Sequence, residues 1–270
     1  MAVRDGELLT WRRRTRAEEL LVWAGWLLGL SLVIFCWQRI SATTTWVFVA
    51  DAPRVALDIG DRMVPPKWSY GVDLLGPLWD TINIATMGTI LSVLLATPVA
   101  FLAATNTTPS KRFVRPLALL IIVSSRSINS LIWGLLLVTI IGPGVVAGIF
   151  AITFRSIGFV AKLLYEAIEE IDQRQVEAIA ATGAGEGQVI TFAIWPQILP
   201  AFAGTSVFRW DINIRESTVL GLVGAGGIGL ELQASINIVA WQQVSVILLA
   251  ILSTVIVSEW ISAKVRHAVI

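Results

Sequence analysis

Charge is kept out of stretches of this chain long enough to cross a bilayer, and that pattern constrains its fold more than any motif does. No Asp, Glu, Lys or Arg occurs in residues 20–37, 81–104 or 239–258, and a helix needs roughly 20 apolar residues to traverse a hydrocarbon core of about 30 Å. Lipid offers no hydrogen bonds, so the backbone of such a run must satisfy itself as helix. Of all residues, 56% are hydrophobic and 14% charged, with a mean hydropathy of +0.76; soluble domains carry roughly 25% charged residues. An all-α polytopic membrane protein with about six transmembrane helices is predicted.

The six spans are read as 20–37, 81–104, 116–141, 145–164, 201–223 and 239–261. Basic residues precede the first, which therefore also fits the outline of a secretory signal. Its core is long and no small-residue cleavage site follows, so an uncleaved anchor is expected. Residues 1–19 hold five Lys or Arg, 105–115 hold three and 263–270 hold two. The positive-inside tendency puts these flanks in the cytosol. The layout is then a cytosolic segment 1–19, a periplasmic loop 38–80, a core 81–262 with a cytosolic loop 166–200, and a cytosolic tail 263–270. Pro53, Pro65 and Pro66 are expected to keep 38–80 free of long helix, with at most a short strand or amphipathic element near 44–49.

Several chemistries lack their residues. Cys36 is the single cysteine and His267 the single histidine, which excludes an intrachain disulfide, a Cys metal cluster and a His-based triad or zinc site. No G-x-x-x-x-G-K-[ST] phosphate loop occurs. Residues 224–229, GAGGIG, match G-x-G-x-x-G in outline, but they follow no predicted strand and belong to no βαβ unit. Close helix packing or an irregular outer segment is expected there instead. Trp133, inside an apolar run, is expected to pack between helices.

Between the fourth and fifth spans, EAIAATGAGEGQVITFAIWPQILP breaks the apolar pattern. Upstream, Ile168, Ile171, Val176 and Ile179 form a stripe among strong helix formers, so one amphipathic helix is predicted over 165–183. Gly183, Gly185 and Gly187 allow a sharp turn. A second short helix is predicted over 188–195, kinked or stopped by Pro196. Small residues at Ala178, Ala180 and Ala181 suit close docking of another surface, which a solvated connector does not require. Residues 177–187 are the candidate contact.

Charged residues also fall inside the spans. Ser124, Ser125, Arg126, Ser127, Asn129 and Ser130 interrupt the third, and an arginine at membrane depth belongs against protein or water. Asn129 is expected one turn from Arg126 on the same face. The fifth span carries Arg209, Asp211, Arg215 and Glu216. Asp211 and Arg215, four apart, can pair, while Arg209 and Glu216, about two turns apart, face nearly the same way. These groups admit two readings, a network that fixes packing or a dimer interface, and an attraction point along the path of an anion. Arg155 in the fourth span is a further pathway or packing candidate.

Glu177, Ala178, Gly183 and Pro196 resemble the EAA loop of ATP-binding-cassette importer permeases: Glu-Ala-Ala, three residues, Gly, nine residues, Ile, one residue, Leu-Pro. Ile179 stands at the second Ala of that pattern, and Ala193 and Trp195 stand at its Ile and Leu. The runs RSINSLIWGLLLVTIIGPG, FRWDINIRESTVLGLVGAGGIG, LLYEAIEEIDQRQVEAI and SEWISAKVRHAVI make nearly all of the chain after about Thr81 similar to the phosphonate-importer permeases. The resemblance implies a type I ABC importer transmembrane domain in a bacterial inner membrane, with both termini cytosolic. Its implied partners are a second copy of the chain, two ATP-binding-cassette ATPase subunits, a periplasmic phosphonate-binding protein and the lipid bilayer, with no nucleic acid. Glu177, Ala178, Gly183, Gly185 and Pro196 would couple to the ATPase. ATP and Mg would be bound by that partner, leaving this chain without a cofactor, a metal or a catalytic site. Arg126, Asn129, Arg209, Asp211, Arg215 and Glu216 are the candidate translocation pathway. Importers of phosphate, phosphite or another phosphorus oxyanion share this logic. A secondary transporter using the charges as an ion relay and a purely structural scaffold are the other readings.

Overall fold

The structure, a computed structural model, describes the backbone of residues 2–5, 8–11 and 16–269 and the side chains of 17–266. Arg12, Arg13 and Arg14 of the basic flank, and the side chains of Arg16 and His267, lie outside the described residues. The chain divides into two units, Met1–Asp61 and Arg62–Ile270.

In the first unit, β1 (Ala2–Asp5) and β2 (Leu8–Trp11) form an antiparallel ribbon with Ala2 opposite Trp11. Helix α1 (Arg16–Thr43) follows, 28 residues long. At 1.5 Å per residue it measures about 42 Å, enough to cross a bilayer with its ends outside. It is apolar all round: Leu21, Trp26 and Leu28 are each more than 70% exposed, the pattern of a helix whose solvent is lipid. Helix α2 (Trp46–Met63) replaces the helix-free loop expected there, with Pro53 in its interior. Asp51, Arg54, Asp58, Asp61 and Arg62 fall in one sector of the helix, opposite Val49, Ala52, Ala56 and Ile59. That 3.6-residue period outweighs the single hydrogen bond that Pro53 withholds.

The second unit is a helical bundle. A 3-10 turn (Trp68–Gly71) precedes α3 (Leu75–Ala103), which begins six residues before the predicted span (81 − 75 = 6). Then come α4 (Val114–Ser127), α5 (Ser130–Ile141) and α6 (Val145–Glu169). The loop between the fourth and fifth spans contains α7 (Gln173–Ala181), α8 (Glu186–Val189) and a π turn (Ile190–Ile194). The bundle closes with α9 (Trp195–Leu220), a 3-10 turn (Gly221–Val223), α10 (Ile228–Asn237) and α11 (Trp241–Val269).

Small side chains bring these helices together. Association within lipid gains little from the hydrophobic effect and depends on close contact. One core cluster is built around Ala96, Ala100, Ala103, Ala104, Ala118 and Ala161. Gly88 faces Ile152, where a methyl group on the glycine would stand 2.6 Å from Cγ2. A methyl on Gly158 would strike the Ile122 carbonyl, so α4 crosses α6 with backbone nearly against backbone. Trp133 packs as expected, its ring 5.2 Å from that of Phe154.

Polar seams mark the two ends of the bundle. At one end, Thr105 N donates to Glu169 Oε1 (2.8 Å), Asn106 Nδ2 donates to Ile168 O (2.6 Å), and Arg115 lies 3.6 Å from Glu169. At the other, Ile228 N donates to Thr81 Oγ1 (2.8 Å), Gly144 N to Gly224 O (3.0 Å), Tyr70 Oη to Glu231 Oε2 (2.9 Å) and Lys67 N to Gln242 O (3.1 Å). These seams settle how α4 and α5 run. The pair, read from sequence as one straight span, is bent by 90°, and neither half is long enough to cross alone, at 14 and 12 residues. Helix α4 starts beside the first seam and α5 ends at the second, so together they make one broken crossing.

Candidate functional site

The loop at the first seam is a helix, a glycine turn and a second helix. The single amphipathic helix predicted over 165–183 is divided: α6 ends at Glu169, and Asp172 caps α7 by accepting from Arg174 N at 3.0 Å. An Asp at this position satisfies an N–H that the first turn leaves free, which favours starting a new helix there. Gln197 fixes the junction by accepting from Asp172 N at 2.9 Å. Val176 and Ile171 pack against the core cluster, while Glu177 and Ala178 face outward, exposed. Glu177 makes no ion pair or side-chain hydrogen bond with any described residue.

Gly183 turns the chain at φ +83°, a left-handed conformation that disfavours a Cβ. Gly185 then precedes α8 and donates its N–H to Gln188 Oε1 at 3.0 Å. Pro196 does not stop the second helix. The π turn before it lets Trp195 N reach Ile190 O, five residues back, and a π turn widens the helix where the proline ring and its missing N–H would disturb an α-helical turn. Residues 186–223 consequently run as one helical segment from the exposed hairpin into the bundle. The predicted coupling residues Glu177, Ala178, Gly183, Gly185 and Pro196 are all exposed along this hairpin.

The charges of α9 form a second constellation inside the bundle. Arg209, 2% exposed, donates from Nε to Ser156 Oγ (2.9 Å) and from Nη2 to both carboxylate oxygens of Glu216 (3.2 Å each). Its guanidinium also lies 5.2 Å from the centre of the Phe159 ring. Ser156 Oγ donates to Asn213 Oδ1 (3.2 Å), and Asn213 Nδ2 to Thr89 Oγ1 (2.7 Å). One chain of hydrogen bonds therefore joins α9, α6 and α3. On another side of α9, Arg215 pairs with Asp211, which also accepts from Ser258 Oγ of α11 at 2.9 Å.

Asp211 and Arg215 pair as their spacing allows, and Arg209 and Glu216, expected to face nearly the same way, also pair. Ser156, Asn213, Thr89 and Ser258 were not anticipated, although each is a small polar residue in an otherwise apolar span, the available signal. Arg126 and Asn129 do not share a helical face. The chain breaks between them, and Asn129 caps α5, its Oδ1 accepting from Leu131 N at 3.0 Å. Arg126 is exposed on the single chain, its stem lying against Gly158. Ser125 ties α4 to α6 by donating to Phe154 O and accepting from Gly158 N.

The glycine-rich segment after α9 is the irregular element expected, with φ of +88°, +82° and +75° at Gly224, Gly226 and Gly227. A methyl on Gly229 would collide with the Thr218 carbonyl. The segment folds back tightly onto the end of α9.

A bundle of apolar helices with a broken span, a buried charge network and an exposed helical hairpin makes this a polytopic transmembrane domain, with the fold of type I ABC importers. Solved structures share the fold. A chain of the MetNI methionine ABC transporter, in an inward-facing conformation, aligns with a TM-score of 0.63 at 21% identity, over 73% of this chain and 96% of that chain. A chain of a bacterial ABC transporter that imports the acidic polysaccharide alginate aligns with a TM-score of 0.57 at 18% identity, over 94% and 98%.

The chain belongs to the family of binding-protein-dependent transport system inner membrane components, whose profile matches residues 96–268. Among its relatives, the phosphite transport system permease protein PtxC of Stutzerimonas stutzeri is 38% identical over 87% of this chain and 84% of its own length. The phosphate-import permease protein PhnE of Mycolicibacterium smegmatis (strain ATCC 700084 / mc(2)155) is 36% identical over 92% of this chain, which spans 46% of that longer relative. The chain is thus a multi-pass inner membrane protein and the permease subunit of an ABC importer.

Proposed function

We propose that this chain forms the translocation pathway for phosphorus oxyanions, phosphonates foremost, working as a homodimer with two ATP-hydrolysing subunits and a binding protein on the outer face. The exposed hairpin carries the reading. Glu177 is a carboxylate without a partner among the described residues, on a short helix whose other face is anchored in the core, and the following helix runs without interruption into α9. A push on α7 and α8 is delivered to the segment bearing Arg209 and Glu216. ATP and Mg belong to the partner. Binding of ATP closes the two motor subunits, the hairpins move with them, and the bundle opens outward to accept substrate; hydrolysis and product release restore the inward-facing state. The hairpin faces the cytosol, as do both termini.

The substrate class follows from the relatives' chemistry together with the cationic residues at membrane depth. Phosphite or phosphate as the main cargo is the second reading, favoured by the names and coverage of the two permeases above. The test is reconstitution of the chain with its ATPase and binding protein in proteoliposomes, comparing uptake of an alkylphosphonate, phosphite and phosphate while ATP turnover is followed. ATP-dependent uptake of at least one of them is expected, and the preferred anion decides between the readings. Uptake that proceeds without the ATPase would overturn the importer mechanism for this chain. Glu177→Lys should cut ATP-driven uptake at least tenfold while the bundle still assembles; undiminished uptake in that variant removes Glu177 from the coupling contact.

A further inference from the structure

Four arginines lie at membrane depth, and the structure separates them by whether their charge is already answered. Arg209 is enclosed, with Ser156 and Glu216 on its nitrogens and Phe159 beneath it. Arg215 holds Asp211. Each arginine of α9 therefore has its own carboxylate, and neither has a free charge to offer an anion. Arg155 differs. It makes no ion pair with a described residue, and its Nη1 is buried without any hydrogen-bond partner. Along α6 the nearest acidic residue is Glu166, eleven positions away (166 − 155 = 11), and that carboxylate pairs with Lys162 at 3.3 Å.

Leaving a guanidinium nitrogen buried and unpaired at this depth is costly, and the surroundings add to the cost. Arg155 lies within electrostatic range of Arg209 and opposes its charge. The stem of Arg126 lies against Gly158, three residues along the same helix. Three guanidinium side chains thus border residues 155–159 of α6, with Glu216 the one carboxylate paired among them. Arg155 stands ten residues from the start of α6 (155 − 145 = 10), about 15 Å along the axis. That is near the middle of a core about 30 Å thick. A permanent acidic partner would cancel the positive charge, whereas a passing anion balances it only while present.

We infer that Arg155 is the anion contact of the pathway, its guanidinium holding the tetrahedral oxyanion head of the cargo at mid-membrane while the paired Arg209 and Arg215 hold the wall in shape. The planar fork of a guanidinium can donate to two oxygens of one phosphorus centre at once, which an ammonium cannot do in the same geometry. The contact must be transient, and an arginine that returns to an unpaired state when the anion leaves favours release as well as entry. This assignment rests on the importer reading above and makes Arg155, rather than the more conspicuous charges of α9, the residue that touches substrate.

The test uses the complete importer in proteoliposomes, with phosphite and methylphosphonate as probes, and compares wild type, Arg155→Gln and Arg155→Lys. Uptake and binding-protein-stimulated ATP hydrolysis are measured on the same vesicles. Loss of one charge-assisted hydrogen-bonded contact corresponds to about 10- to 100-fold. Arg155→Gln should therefore lower uptake at least tenfold while stimulated hydrolysis stays within about twofold of wild type, and Arg155→Lys should recover part of the uptake. Uptake by Arg155→Gln equal to wild type overturns the inference, as does a parallel loss of uptake and hydrolysis in both variants, which marks a packing role. If Arg155→Gln does not assemble, Arg155→Lys decides. Assembly with reduced uptake and normal hydrolysis supports the contact, and wild-type uptake removes it. A wild-type importer that moves neither these probes nor phosphate defeats the functional reading itself, whereas one that moves them indifferently to Arg155 defeats only this assignment.

Discussion

Arg209 and Glu216 illustrate what a charge at membrane depth requires. The guanidinium is enclosed because a carboxylate, a hydroxyl and an aromatic face meet it, and removing one partner leaves the other buried and uncompensated. Glu216→Gln should destabilise the folded chain by about 3–5 kcal/mol, seen as a lower thermal midpoint in lipid nanodiscs. Arg215→Ala should cost less, about 1–3 kcal/mol, because Arg215 is itself 45% exposed while the Asp211 carboxylate it leaves behind is buried and keeps only the Ser258 hydroxyl. Glycines divide in the same way. Gly229→Ala forces a methyl into the Thr218 carbonyl and should destabilise by about 1–3 kcal/mol. Gly29→Ala, in the interior of α1 and with nothing within 4 Å of the new Cβ, should gain about 0.5–1 kcal/mol from helix propensity. The same thermal assay reads both. A failure of Gly229→Ala to lower the midpoint would mean the segment after α9 is not packed as tightly as described.

At the level of elements, the breaks carry more information than the helices. Asn129 ends one helix direction and caps the next, and Asn129→Ala should cost about 1 kcal/mol through loss of that cap, measured by chemical denaturation. Asp172 does the same at the hairpin. Hydrophobic periodicity could not locate either break, because Asn and Asp are also tolerated inside helices; whether they cap depends on where the chain is pulled next. Pro196, expected to kink or stop its helix, does not stop it. A proline usually marks a helix end, but the π turn absorbs it, and nothing in the local composition distinguishes the two outcomes. Pro53 was misread in the same way, since the charge period of α2 was the stronger local signal.

Over the whole molecule, the two polar seams hold the ends of the bundle in register, leaving the middle to small-residue packing and the α9 network. Tyr70 belongs to the seam opposite the hairpin, outside the spans, and its phenol is pushed above the ordinary range by burial first and then by the hydrogen bond to Glu231. A raised phenol pKa means the bond stabilises the fold fully below the unfolded value of about 10 and loses that contribution as pH rises through the folded value. Tyr70→Phe should lower the thermal midpoint at pH 7 by an amount equivalent to about 1 kcal/mol, and the difference from wild type should shrink above pH 10. A difference independent of pH would show that the phenol is not the stabilising group.

Sequence alone determined that this chain lives in a membrane, where most of its spans lie, and which loop carries the EAA-like run that is exposed as a hairpin. Those features are local: transfer of a residue into lipid depends on its own side chain, and the hairpin is written in consecutive small, acidic and glycine residues. Even the shared facing of Arg209 and Glu216 was legible, because both lie on one helix. Only the tertiary structure decided that Asn213 meets Thr89 across 124 positions, that α4 and α5 form one bent crossing, and that Arg155 is left without a counter-charge among the described residues. Each of these depends on how the helices pack against parts of the bundle far apart in the chain, and that packing is set by how glycines and alanines let the backbones approach.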